Sequence, residues 1–264
     1  MTLPETADET PGAAPGSVEL RIPADPGYLR LARLAAADTA ARVGLGVDAI
    51  DDVRLAVSEL CALMIGSGTG ILLRFETGDG CVVVEGRGAP GPGIEGENGE
   101  LARVLVEAVV DDLRFEAVEG HATFRFTKRV EVGAPAAAGT SGPPGGPGGG
   151  VSVSESQSSP TFAFTVERDG ATGTVVARGE IDLASSPELR EAIHGLIDDG
   201  ARRLVIDLGA VSFIDSSGLG VLVGALKRVQ EHGEDGGLAL RGLNGPALRV
   251  FEITGLDQVF VLAD

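Results

Sequence analysis

The densest group of residues able to do chemistry lies between Val205 and Gly220. It reads Val205-Ile206-Asp207-Leu208, then Val211-Ser212-Phe213-Ile214-Asp215-Ser216-Ser217-Gly218-Leu219-Gly220. A buried apolar strand feeds a polar turn, and the turn opens an apolar helix. Ser216 or Ser217 falls at the N-terminus of that helix, where unpaired N–H groups and the positive end of the dipole favour an anion. A phosphate ester on Ser216 would be held there without rearranging the chain. Helix capping by Asp215, Ser216 and Ser217 accounts for the same residue types, so the residues alone leave both readings open.

Other chemistries fit less well. Gly218, Gly220 and Gly224 resemble a dinucleotide fingerprint, but serines occupy the turn where the first glycine belongs. The following strand runs into Arg241-Gly242 and not into an acidic residue. A serine-hydrolase elbow needs glycine two residues before the nucleophile, and position 214 is Ile. His121, His194 and His232 show neither triad nor metal spacing and read as solvated surface residues. A disulfide between Cys61 and Cys81 is open but unsupported, since the chain is long and shows no disulfide framework. No catalytic, cofactor or metal site is expected.

Composition narrows the function classes further. Over 264 residues the chain carries a net charge of −18, which opposes nucleic acid and anionic membranes as partners. No stretch approaches the roughly 18 apolar residues that cross a bilayer. Met1 to Gly16 lacks the basic-then-apolar pattern of a signal peptide, so the expected location is cytoplasmic. Hydrophobic residues make up 43 % but aromatics only 4 %, so the cores must be built from Val, Leu, Ile and Ala.

The elements that position the serine turn follow from periodicity. The Gly/Pro/Ser-rich run 133–160 cannot bury apolar surface and reads as a flexible linker. It separates a domain at 17–132, preceded by a disordered tail at 1–16, from a domain at 161–264. The second domain alternates strands with helices. Strands are predicted over Phe162–Glu167, Thr174–Arg178, Leu204–Leu208, Leu238–Leu240 and Val259–Leu262. Helices are predicted from Pro187 (capped by Ser185 or Ser186) to Gly200, over Leu219–Val229, and from Pro246 through Phe251. The first domain starts with a strand at Val18–Ile22. Helices follow over Tyr28–Val43 and from Asp48 through Leu60, then a hairpin (Ile71–Phe75, Cys81–Val84), a helix over Leu101–Val110 and a second hairpin (Leu113–Val118, Ala122–Thr127). This is an α/β layer with helices over an antiparallel sheet.

At this point the second half resembles a known family. Asp215-Ser216-Ser217-Gly218-Leu219-Gly220 after a strand is similar to the signature of the bacterial anti-sigma-factor antagonists, whose fold is the STAS domain. Gly179-Glu180-Ile181-Asp182 resembles the acidic turn after that family's second strand. Leu243-Asn244-Gly245-Pro246-Ala247-Leu248-Arg249-Val250-Phe251, with Thr254-Gly255-Leu256, resembles its closing helix and turn. The resemblance implies a mixed sheet with packed helices, and Ser216 as the residue that takes phosphate from a partner kinase. Asp182, Asp215, Ser217 and Gly218 would be its switch-site neighbours.

Residues 17–130 resemble the kinase partner of that same family, the anti-sigma-factor serine kinases built on the α/β sandwich of histidine-kinase ATPases. Ile22-Pro23-Ala24, Tyr28-Leu29 and Ala49 to Glu59 carry the likeness. The family's second helix places Glu four residues before a magnesium-binding Asn. Glu59 is present, but Leu63 stands at the Asn position. The adenine-reading aspartate is missing from Glu85-Gly86-Arg87-Gly88, and the glycine-rich lid is reduced to Gly99. The reading is therefore a pseudokinase, with Glu59 a solvated helix residue. Together the two resemblances imply an antagonist that binds an anti-sigma-factor serine kinase, frees its sigma factor, and lets go when phosphorylated on Ser216, with a phosphatase acting on Ser216 as a further partner. The alternatives are a first half that phosphorylates Ser216 in cis, and a scaffold without a switch.

Overall fold

The computed structural model describes residues 16–78, 80–118, 120–130, 162–231 and 236–263. The expected linker, and the expected tail apart from Gly16, lie outside the described residues.

In the first half, β1 (Ser17–Ile22), β2 (Ile71–Gly78), β3 (Cys81–Gly88), β4 (Asp112–Val118) and β5 (His121–Arg129) form one antiparallel sheet in the order β1-β2-β3-β5-β4. Period-two alternation sends Leu73, Phe75, Val82, Val84, Phe124 and Phe126 to one face, where all are buried. Helices α1 (Leu29–Arg42), α2 (Val47–Ala62) and α3 (Glu97–Val109) belong to the same half. The stripe Leu29, Ala32, Ala36 and Ala40 of α1 is buried, and its small side chains let α1 lie close to α2. Gly44, at φ 82°, supplies the left-handed residue that ends α1.

In the second half, β6 (Phe162–Asp169), β7 (Thr172–Ile181), β8 (Arg203–Ile214), β9 (Gly237–Arg241) and β10 (Val261–Ala263) form a sheet in the order β10-β9-β8-β7-β6. Only β6 runs antiparallel to its neighbour, so the sheet is mixed as expected. Helices α4 (Ser186–Asp198), α5 (Ser216–Gln230) and α6 (Gly245–Thr254) complete it.

Two boundaries differ from the sequence reading in ways that matter for the site. Strand β8 was expected to stop at Leu208 but continues to Ile214. The Gly209 N–H donates to Asp207 Oδ1 (2.9 Å), and pairing with β7 resumes after two register shifts, between Val176 and Arg178 and between Gly179 and Glu180. The chain therefore stays in the sheet up to Asp215. Helix α5 then begins at Ser216, three residues before the expected Leu219.

The halves are packed together. Helix α3 lies against α5 and α6, and the buried residues of both halves join in one apolar cluster. The carboxyl ends of β7 and β8, which carry Glu180, Asp182, Asp215 and Ser216, face α1 and α2 of the first half.

Candidate functional site

Asp215 is the N-cap of α5: its Oδ1 accepts from Ser217 N (2.9 Å) and Gly218 N (3.2 Å). Capping thus falls to the aspartate and not to Ser217. Glycine is required at 218, because a Cβ there would stand 2.7 Å from Ile181 Cγ2 and 2.8 Å from Ile214 Cγ1. That contact seats the first turn of α5 on the ends of β7 and β8. Asp182 closes the neighbouring turn, its Oδ1 accepting from Ala184 N and Ser185 N. Ser185 makes no capping bond to α4. Its Oγ instead accepts from Asp182 N (2.9 Å) and donates to Glu180 O (3.0 Å). All five expected site residues thereby converge on one corner of the second half.

Ser216 is only 6 % exposed. What covers it is Glu59, expected to be solvated and found 1 % exposed. Ser216 Oγ donates to Glu59 Oε2 at 2.6 Å, and Ser216 N donates to Glu59 Oε1 at 2.7 Å. The second bond satisfies an N–H that has no intrahelical partner in the first turn of α5.

Ion pairs surround this clamp. Arg33 Nη2, from α1, reaches Glu180 Oε2 and Asp182 Oδ2, both at 2.6 Å, and its guanidinium lies 4.5 Å from the Phe213 ring centroid. Arg54 Nη2 reaches Glu180 Oε1 at 3.1 Å. Ser58 bridges the halves, accepting from Arg33 Nη1 (3.1 Å) and donating to Asp215 Oδ2 (3.4 Å). At the far edge Asp52 takes Lys128 Nζ (2.9 Å) from its own half and Arg249 Nη2 (3.0 Å) from α6. Sequence reasoning missed Arg33, Arg54 and Ser58. The available signal was Arg33 itself, a cation within the apolar stripe of α1.

The carboxyl groups are strongly perturbed. Burial, and then the charge of Asp215, push Glu59 up to about 8. Burial, and then the charge of Asp182, raise Asp215 to about 6. Burial also raises Asp52, against the pull of Lys128 and Arg249. Both carboxyls are therefore harder to ionise where they stand than in water. The 2.6 Å contact serves both forms, since ionised Glu59 accepts from the Ser216 hydroxyl and protonated Glu59 donates to it.

At the positions where the resemblance expects metal and nucleotide ligands, the first half carries packing residues. Leu63 is buried apolar core, and its carbonyl accepts from Gly91 N (2.7 Å). Gly86 answers a packing demand, since a Cβ there would stand 2.1 Å from the Phe124 ring. Glu85 pairs with Arg125. Among the described residues no group of three or more His, Cys, Asp or Glu could hold a metal ion. Cys61 and Cys81 are free thiols, and burial pushes Cys61 up to about 12, which leaves it unreactive. His121 is exposed and His194 half-buried, while His232 lies outside the described residues. No described helix is long and apolar enough to cross a membrane.

Residues 163–264 match the STAS domain family, and residues 22–128 match the histidine kinase-like ATPase domain family. The anti-sigma-B factor antagonist of Bacillus subtilis (strain 168) is 47 % identical over 81 residues, which are 31 % of this chain and 72 % of that protein. The anti-sigma-B factor antagonist of Staphylococcus aureus (strain NCTC 8325 / PS 47) is 40 % identical over 81 residues, 31 % of this chain and 73 % of that one. Among solved structures, an anti-sigma factor antagonist from Mycobacterium paratuberculosis is 35 % identical with a TM-score of 0.36, covering 39 % of this chain and 87 % of its own.

Proposed function

Because the chain belongs to the anti-sigma-factor antagonists that carry the STAS domain, we propose that it acts by partner switching through Ser216. Unphosphorylated, the second half binds an anti-sigma-factor serine kinase and releases the sigma factor held by it. Phosphorylated on Ser216, it lets go, and a phosphatase restores the active form. The observation that carries this reading is the docking of Ser216 against a kinase-type fold: both its N–H and its hydroxyl are taken by one carboxylate, Glu59. A surface shaped to receive this turn in cis is the kind of surface an external kinase would offer in trans. The first half itself is read as a pseudokinase, on the strength of Leu63 and the packed Gly86.

The test titrates an anti-sigma-factor serine kinase of the same organism against the unmodified full chain and its Ser216→Asp variant. Like-charge contact at an interface costs several kcal/mol, so binding should weaken by on the order of 100-fold or more. Equal affinity would overturn the proposal.

One observation favours a second reading, in which the first half phosphorylates Ser216 in cis. Glu59 Oε2 stands within hydrogen-bond reach of the Ser216 hydroxyl, where a general base belongs. Without oxygen ligands for a metal, phosphoryl transfer lacks positioning and charge neutralisation. Calorimetry of the full chain against ATP–magnesium separates the two readings. No saturable binding is expected at millimolar nucleotide, and a micromolar Kd would favour the cis kinase.

A further inference from the structure

We infer that the first half is an intramolecular latch: its α1–α2 face holds the unphosphorylated Ser216 corner of the second half and keeps it from other proteins. The inference rests on the reading of Ser216 as the switch, and it assigns the α1–α2 surface a partner, namely this chain's own second half.

The surface is complementary to that partner residue by residue. Arg33 and Arg54 meet Glu180 and Asp182, Asp52 meets Arg249, and Glu59 meets Ser216. Among the described residues Arg33 is the largest fully buried side chain, at 1 % exposure. Its partners Glu180 and Asp182 both come from the other half, and so does the ring of Phe213 beneath it. A cation is buried this deeply only when paired. The site that Arg33 occupies is therefore built by docking. The apolar seam beside it, lined by Leu55, Val109, Phe213, Val250 and Ile253, extends the same contact.

The latch excludes a phosphate. Ser216 Oγ is enclosed by Glu59 at 2.6 Å, and the Asp215 carboxylate lies beside Ser58 on the same helix as Glu59. Arg33 is already committed to Glu180 and Asp182. A dianion on Oγ would thus face carboxyl groups, with the cations Arg33 and Arg54 already paired to Glu180 and Asp182. Phosphorylation and docking are mutually exclusive, and an external partner must displace Glu59 to reach Ser216. Covalent linkage puts that partner in competition with a neighbour at an effective concentration on the order of millimolar.

Hydrogen exchange at one amide reads the latch without any external partner. Ser216 N–H has no helical acceptor and is protected by Glu59 alone. In the full chain it should exchange slowly. In Arg33→Glu, which sets a carboxylate against Glu180 and Asp182, and in Ser216→Asp, its exchange should rise by on the order of 100-fold, the scale of a broken buried ion pair. Amides of β7 and β3 should stay protected in both variants, which shows that the halves remain folded. Small-angle scattering should show the radius of gyration increasing in both. Fast exchange at Ser216 in the unmodified chain, or unchanged exchange and size in Arg33→Glu, would overturn the latch. Neither result bears on whether Ser216 accepts phosphate, which mass spectrometry of the kinase-treated chain tests separately.

Discussion

Ser216 and Glu59 each change meaning once they meet. A serine in the first turn of a helix has a dangling N–H, and a glutamate on a helix prefers water. Together they satisfy one another at 2.7 and 2.6 Å. The adjacent Ser217 donates its N–H to Asp215 and belongs to the cap. Phosphate delivered by a serine kinase should therefore appear on Ser216 and be abolished in Ser216→Ala, while Ser217→Ala is still modified. Mass spectrometry of the modified chain decides, and phosphate on Ser217 alone would refute the assignment. At the same scale, Glu59→Gln should preserve docking near neutral pH. A glutamine carbonyl can accept the Ser216 N–H, and its amide can donate to Oγ.

At the scale of elements, the switch depends on how tightly the start of α5 sits on the sheet. The extension of β8 to Ile214 and the absence of a side chain at Gly218 bring the turn against Ile181 and Ile214. Gly218→Ala should cost on the order of 1–3 kcal/mol by overpacking, since both neighbours are buried isoleucines with little room to move. Chemical denaturation measures this. An unchanged midpoint would mean that the turn can retreat from the sheet. The sequence signalled the strand, the turn and the helix, but placed the strand end six residues early. Gly209-Ala210 looks like a stop locally and becomes a continuation only because β8 takes up extra residues at two register shifts and pairs with β7 again.

At the scale of the molecule, docking is coupled to protons. The groups facing Glu59 are Ser216 and Asp215 from the second half, with Ser58 on its own helix and Arg33 and Asp182 beyond. Glu59, Asp215 and Asp52 are all raised in the closed form, each chiefly by burial. A carboxyl raised on docking takes up a proton when the halves close. Its stabilising effect is full below the ordinary carboxyl range and is lost as pH rises through the raised value. Closure should therefore weaken as pH climbs from the ordinary carboxyl range to about 8, the value for Glu59. Each proton involved contributes at most about 1.4 kcal/mol per pH unit. The radius of gyration, followed across that window, should increase with pH, and Glu59→Gln should flatten the profile. A chain that opens on acidification would contradict the sign.

Local pattern was enough to mark the strands, the helices and the serine turn of both halves, while the two folds they build were implied by resemblance. Alternating Val, Leu and Ile mark strands through side-chain period, and Asp-Ser-Ser-Gly after a strand marks a helix start, so each is legible within about ten residues. That Leu63 stands where the resembled kinases place Asn was legible only through the resemblance. Only the tertiary structure decided that Ser216 is covered and by what. The clamp joins Glu59 to Ser216 across 157 positions, and Arg33 to Asp182 across 149. No periodicity carries information over such distances. A glutamate destined for a buried hydrogen bond and one destined for water have the same side chain. Burial beside Asp215 and Ser216 makes the difference, and that neighbourhood exists only once the two halves have closed.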